Sequence, residues 1–388
     1  MTTEPSHNDR AAPAISLPAL LLNFLKIGAI GFGGGMAIIA LMERDLIRKR
    51  RVLEAEEFLQ GVGLGQVLGP FAVNTALFIG NRLYGTLGGL ACAFAFMAPS
   101  VVMVILLSWL YFSFHAIPAL KGAIGGLGPV VIALILVAAW SMGRKAIRSW
   151  PSVLMAALAL TLSLFKINAV YILAGAGIIG LIAGRRIKPK DKPQASGGGG
   201  ASVAGIAALP AVGSVSAGIF NVAWVFLKIG CVFFGGGFVL IPILQQRLGA
   251  LGWLTKKEFV DGVAISNLTP GPIAVLATFA GFRLHGVIGA LAATLALFTP
   301  AMILMTFMSR EYSRFKDAPY FKNFMGGVTP AVVGMVAGAA VLLSPGILHD
   351  VAALGLLAAA LLLLARFQWH PAWVLAIGAA LGAVGIVR

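Results

Sequence analysis

The sequence predicts an all-α polytopic membrane protein: two homologous six-segment halves forming an inverted repeat, with broken or re-entrant helices. Three observations carry this. Hydrophobic residues make up 59% of the chain and charged residues only 11%, with a mean hydropathy of +0.96. Soluble domains carry about 25% charged residues, so a water-facing surface is excluded for most of the chain. Apolar segments of at least 15 residues recur along both halves, and the same glycine, proline and charge landmarks recur at one fixed offset.

The repeat shows first in one motif. Phe24-Leu25-Lys26-Ile27-Gly28 precedes Phe32-Gly33-Gly34-Gly35, and 202 residues later Phe226-Leu227-Lys228-Ile229-Gly230 precedes Phe234-Gly235-Gly236-Gly237. Further pairs lie 201 apart: Glu57 and Glu258, Gly61 and Gly262, Arg82 and Arg283, Pro99 and Pro300, Gly126 and Gly327. So many matches at one offset mark a fused duplication.

In chain order, residues 1–184 form the first repeat. Met1 to Ser16 lack a basic leader and a cleavage site, so no signal peptide is expected. The apolar segments are Ile15–Met42, Phe58–Asn81, Leu83–Leu120, Gly122–Gly143, Ser149–Phe165 and Ile167–Gly184. Residues 185–200 are a basic, glycine-rich linker, by composition a flexible connector. In the second repeat, residues 201–388, the segments are Gly218–Gln246, Gly262–Phe282, Leu284–Ser309, Asn323–Leu348, Val351–Ala365 and Pro371–Val387. Most approach the roughly 20 residues that a spanning helix needs. Ala201–Ala217 is marginal, and its crossing sets the relative orientation of the halves.

The net charge of +16 sits in short clusters between these segments, the pattern of cytoplasmic loops rather than of a nucleic-acid face. Arg44, Arg48, Lys49, Arg50 and Arg51 form one cluster; Arg144, Lys145 and Arg148 form another. Simple crossings put these two on opposite sides. The conflict vanishes if the first two segments are broken or re-entrant. Keeping Arg310, Arg314, Lys316 and Lys322 inside as well requires an inverted second half.

Four interruptions fall at membrane depth: Gly33-Gly34-Gly35, Gly235-Gly236-Gly237, Leu68-Gly69-Pro70 and Thr269-Pro270-Gly271-Pro272. Proline lacks an amide hydrogen, and a helix restarted after such a run presents free N–H groups and its positive end. That suits an anion, with Gln66, Asn74, Asn267 and Thr269 as neutral donors. The alternative is that glycine and proline merely allow close packing. Equivalent breaks in both halves favour a transport site. Lys26 and Lys228 are either partners of the anion or lysines snorkelling to the headgroups. Glu57, Glu258, Arg82 and Arg283 are candidates for coupling or gating; their simpler readings are helix-start charges and interface anchors. No carboxylate lies deep in an apolar segment: Glu43, Glu57, Glu258 and Asp261 stand at segment edges. Cys92 and Cys231 read as small core residues, and the scattered histidines give no metal site and no cofactor.

Taken together, the doubled F-L-K-I-G…F-G-G-G, the T-K-K-E-F helix start at Thr255–Phe259 and the P-G-P at Pro270–Pro272 resemble the chromate ion transporter family in its long two-domain form. The resemblance covers nearly the whole chain. It implies chromate export through a multi-pass protein of the cytoplasmic (inner) membrane, with sulfate as the competing analogue and oppositely oriented halves. Two departures stand out: Leu68-Gly69-Pro70 replaces Pro-Gly-Pro, and the second half lacks a counterpart of Asn74, so the two halves need not bind alike. The partners expected are a chromate- or sulfate-like anion and the lipid bilayer, with a homodimer as a candidate assembly. The competing readings are a transporter for another anion, a channel, and an intramembrane enzyme; the last lacks a nucleophile, base or metal constellation.

Overall fold

The computed structural model describes residues 15–31, 34–114, 118–186, 218–233, 237–309 and 319–385. The linker beyond Arg186, the expected crossing at 201–217 and the cluster at 310–316 lie outside them. The first half contains α1 (Leu17–Ile30), α2 (Gly34–Met42), α3 (Ala55–Val67), α4 (Phe71–Phe114), α5 (Pro118–Ala146), α6 (Trp150–Leu164) and α7 (Ala169–Arg186). The second contains α8 (Ile219–Val232), α9 (Leu240–Ala250), α10 (Lys256–Leu268), α11 (Leu276–Met308), α12 (Pro319–Leu343), α13 (Val351–Ala365) and α14 (Pro371–Ala383). No strand occurs among the described residues.

Length separates two kinds of helix. A 13-residue helix such as α3 or α10 rises about 20 Å at roughly 1.5 Å per residue, short of the ~30 Å hydrocarbon core. Among the described residues four stretches are long and apolar enough to cross: Phe71–Phe114, Gly122–Arg144, Ile273–Met308 and Asn323–Leu343. The first and third are bent. Non-helical backbone at Tyr84 and Gly85 (φ 69°) folds residues 71–83 of α4 back on residues 86–114. His285 and Gly286 (φ 57°) do the same in α11. A Cβ on Gly80 would come within 2.8 Å of Gly89 Cα, and one on Gly281 within 2.8 Å of Ala293 Cβ, so glycine alone lets these arms close.

Helix α3 packs antiparallel on the first arm of α4: Gly61 lies against Phe78, and Gly65 against Phe71 and Thr75. Residues 55–83 are therefore a re-entrant hairpin that enters and leaves by one face. In the second half Gly262 lies against Phe279 and Leu276, giving the same hairpin from α10 and α11. The expected second apolar segment of each half is thus a hairpin limb pair, not a crossing. This removes the charge conflict. Arg44–Arg51 and Arg144–Arg148 come to one face because 55–83 returns to its own side.

The halves are inverted. Gly128 lies against Ile347 and Gly143 against Val333, so α5 and α12 run antiparallel. The end of α5 and the start of α12 share that basic face. So does the end of α11, because Asn81 Nδ2 donates to Ser309 Oγ at 2.7 Å. The halves also exchange helices. Helices α6 and α7 pack on α12 of the other half, and α13 and α14 pack on α5. Small residues make these crossings: Gly122 and Gly126 against Gly382 and Gly378, and Gly327 against Ala176 and Gly180. In lipid, helices associate through such close backbone approach, since burial from water gives no drive. Cys92 is buried and Cys231 partly so, both free.

The inversion is open to direct measurement. With Cys92 and Cys231 replaced by alanine, cysteines placed at Asn81 and Ser309 should be joined by a short bifunctional thiol reagent within one chain. Absence of the link in functional protein would rule out this arrangement of the halves.

Candidate functional site

All four interruptions appear as breaks. Helix α1 stops at Ile30 and α2 starts at Gly34; α8 stops at Val232, and a 3₁₀ turn runs Gly237–Val239. Gly33, Gly235 and Gly236 lie outside the described residues. Leu68-Gly69-Pro70 links α3 to α4, and residues 269–272 link α10 to a 3₁₀ turn at Ile273–Val275. Gly69 (φ 108°) and Gly271 (φ 109°) hold equivalent backbone that other residues resist.

These breaks close a ring, two neighbouring breaks from each half, that crosses between the halves twice. A Cβ on Gly35 would strike the Phe71 ring, beside the tip of its own hairpin. Gly69, at that tip, lies against the carbonyl of Phe233, where α8 has just ended. Gly237 lies 3.5 Å from Ile273 Cβ by the same measure. Gly271 returns the circuit to the first half: its N–H donates to the carbonyl of Gly31 at 3.0 Å, and Ser100 Oγ donates to the Pro270 carbonyl. At the ring α2 and α4 present their first turns, whose N–H groups have no intrahelical acceptor and carry the positive helix ends. The predicted residues Gly34, Gly35, Gly69, Pro70, Gly237, Pro270, Gly271 and Pro272 thus come together.

The neutral donors do a different job. Asn74 is fully buried and donates to the Leu68 carbonyl at 3.3 Å. Asn267 donates to Val263 at 2.8 Å, and Thr269 to Ser266 at 3.0 Å. Each ties down the backbone beside a hairpin tip. Gln66 is exposed. Asn74 Oδ1 stays buried without a hydrogen-bond partner, and the helix-end N–H groups add backbone donors at the ring.

The lysines differ from each other. The buried face of α1 is Leu20, Phe24, Ile27 and Gly28, and Lys26 lies outside it, exposed, in a snorkelling position. Lys228 is half-buried, its ammonium 4.9 Å from the centre of the Trp224 ring, and it lines a cavity. The glutamates and arginines pair: Glu57 with Arg82 at 3.1 Å and Glu258 with Arg283 at 2.8 Å, each across the base of a re-entrant hairpin. Glu258 also completes a capping box with Thr255. The equal 25-residue spacing of both pairs was the signal in the sequence. Such half-exposed pairs are worth roughly 0–1 kcal/mol each, so they set hairpin register more than stability.

Known proteins give the same picture of the repeat. The family model of chromate transporters matches the chain twice, over residues 18–181 and 220–383. The chain belongs to the chromate transporter family. It is 31% identical to a probable chromate transport protein of Synechococcus elongatus, over 87% of each chain. It is 28% identical to a chromate transport protein of Cupriavidus metallidurans, over 97% of this chain and 94% of that one. A chromate transport protein of Pseudomonas aeruginosa is 31% identical, over 84% and 80% respectively. No solved structure gives a significant match. With its spanning helices, this family member is a multi-pass membrane protein.

One residue of this transporter was misjudged from sequence. Asp261 borders an apolar segment, but α10 starts five residues earlier, so packing carries its carboxylate inside. It is 2% exposed and accepts a hydrogen bond from Tyr111 Oη of α4 at 2.8 Å. Among the described residues it is the only buried side chain of a charged type. Removing the donor leaves a buried acceptor short of a partner, which costs about 1–3 kcal/mol. Tyr111→Phe should therefore lower stability in detergent by that amount, while Asp261→Asn, still an acceptor, should not. Equal melting temperatures for Tyr111→Phe and the native chain would show that the bond carries no stability.

Proposed function

We propose that this protein is a secondary transporter that exports chromate across the cytoplasmic (inner) membrane, with sulfate as a competing analogue, and so confers chromate resistance. The observation that carries the reading is the ring of four helix breaks between inverted halves. Helix ends and glycine backbone supply partial positive charge at membrane depth without a full counter-charge, so a dianion is held yet released. The relatives named as chromate transport proteins support the choice of ion. The same relatives are named as transport proteins, which favours transport over an enzymatic reading.

The energetics suit export. A dianion leaving a cell held about 100 mV negative inside gains roughly 4.6 kcal/mol, twice the 2.3 per charge. That supports a gradient above a thousandfold without a second ion. In this reading the backbone at Gly33–Gly35, Gly69-Pro70, Gly235–Gly237 and Pro270–Pro272 walls the passage, and Lys228 attracts the anion towards it. Lys26 plays a smaller part, given its exposed place on α1.

Chromate uptake into everted vesicles, with and without excess sulfate, tests the reading. Uptake should saturate and fall with sulfate. Gly69→Ala and Gly271→Ala should abolish it while the protein still inserts, because each adds a Cβ where φ is positive and a neighbour fills the space. Lys228→Gln should raise the chromate concentration for half-maximal flux several-fold, Lys26→Gln less, and Lys228→Arg least. Native flux in both glycine variants would remove the ring from the pathway.

A further inference from the structure

The cavity that Lys228 lines runs outward from beside the ring, between the start of α7, the second half of α8 and the end of α9, with a volume of about 140 Å³. One water requires roughly 10–15 Å³ by the same measure, so there is room for a polyatomic ion. Its charged lining is of one sign: Lys166, Lys228 and Arg247. None of the three has an ion-pair partner among the described residues. Gln246 also lines it. Its Oε1 accepts from the N–H of Ala169 at 2.9 Å, while its Nε2 is buried without a hydrogen-bond partner. Two half-buried cations, an exposed third in Lys166 and an unspent amide donor around one cavity favour an anion there.

Lys228 is matched by Lys26 in the repeat, but the rest of this charge is particular to the second half's cavity. The positions 202 residues away from Lys166, Gln246 and Arg247 are Gln368, Arg44 and Asp45. There Asp45 neutralises its surroundings, pairing with Arg44 at 2.9 Å and Lys49 at 3.4 Å. At the equivalent place the second half has Arg247 where the first has the neutralising Asp45, and Lys166 and Arg247 keep no ion pair among the described residues. The cavity also has a definite place. Ser163, near the end of α6, lies against Gly338, near the end of α12, so the α6–α7 loop is on the face opposite the basic clusters. From there the lining reaches Val232, next to the break at Phe233 that abuts Gly69.

We propose that this cavity binds one tetrahedral oxyanion at the non-cytoplasmic face: a free dianion of the sulfate and chromate class, or the phosphate of a lipid headgroup. Its place at the exit of the pathway rests on the export reading; binding itself does not. Lys166, Arg247 and Gln246 are the residues this site adds.

Sulfate, which is optically silent, is titrated into the full-length protein purified in uncharged detergent, with tryptophan emission followed at constant ionic strength set by sodium chloride. An ammonium within about 6 Å of an indole face perturbs it, so an anion drawing Lys228 off Trp224 changes the emission. We expect a saturable change that Trp224→Phe removes. Lys166→Gln with Arg247→Gln should weaken binding at least tenfold, and Lys166→Arg with Arg247→Lys should retain it within about threefold. In nanodiscs, suppression of the sulfate response by phosphatidylglycerol but not by phosphatidylcholine assigns the site to a headgroup. An undiminished response in both lipids assigns it to the free ion. Sulfate affinity unchanged in the double glutamine variant, or no response to sulfate or to phosphatidylglycerol, overturns the proposal. Binding that survives while vesicle flux fails would overturn export and leave this site standing.

Discussion

Inside a bilayer every backbone polar group must find its partner within the protein, because lipid offers none. A chain that breaks four helices at membrane depth therefore has to satisfy those breaks against one another. That constraint organises this fold. Gly271 N–H reaches the Gly31 carbonyl, Ser100 reaches the Pro270 carbonyl, and Asn74 and Thr269 bond carbonyls beside the two hairpin tips. Two of these bonds cross between the first and second halves. Neither half satisfies its interruptions alone, so the ring and the pairing of the repeats are one feature.

Exchange of helices makes the pairing firm. With α6 and α7 seated on α12, and α13 and α14 on α5, each half carries part of the other's outer wall. Glycine-on-backbone contacts bring these helices too close to slide freely, which leaves the re-entrant hairpins as the parts with short limbs and few crossings. Each hairpin is clamped at its base by a glutamate–arginine pair and ends at the ring in a glycine of positive φ. Under the proposed function, a passage made mostly of backbone at two inverted tips would change the side it faces as one repeat moves against the other, the usual logic of inverted-repeat transporters.

Much of this was legible in the sequence, since glycine, proline and unpaired charge act locally. The 201–202-residue offset gave the duplication, the Gly and Pro runs located the breaks, and the loop charges required an inverted, re-entrant arrangement. The long-range partners were not legible. Hydropathy marks Gly122 and Gly378 as members of apolar helices but says nothing of which half each helix joins. Glu57 and Arg82 looked like separate edge charges because a hairpin limb and a spanning helix have the same apolar pattern. Asp261 stood at the margin of its segment until the start of α10 at Lys256 carried it inward. Lys166 and Arg247 lie at the ends of different segments, and only the packing of α7 beside α9 unites them with Lys228.

The central claim is that the ring is where the anion passes. Ile273, half-buried beside Gly237, is suited to test it. In a background lacking Cys92 and Cys231, a cysteine at Ile273 is labelled with a small charged methanethiosulfonate in everted vesicles, with sulfate or with chloride at the same ionic strength. Passage through the ring predicts that sulfate slows labelling in a saturable way and chloride does not. Labelling at one rate in both salts, with transport intact, would contradict it.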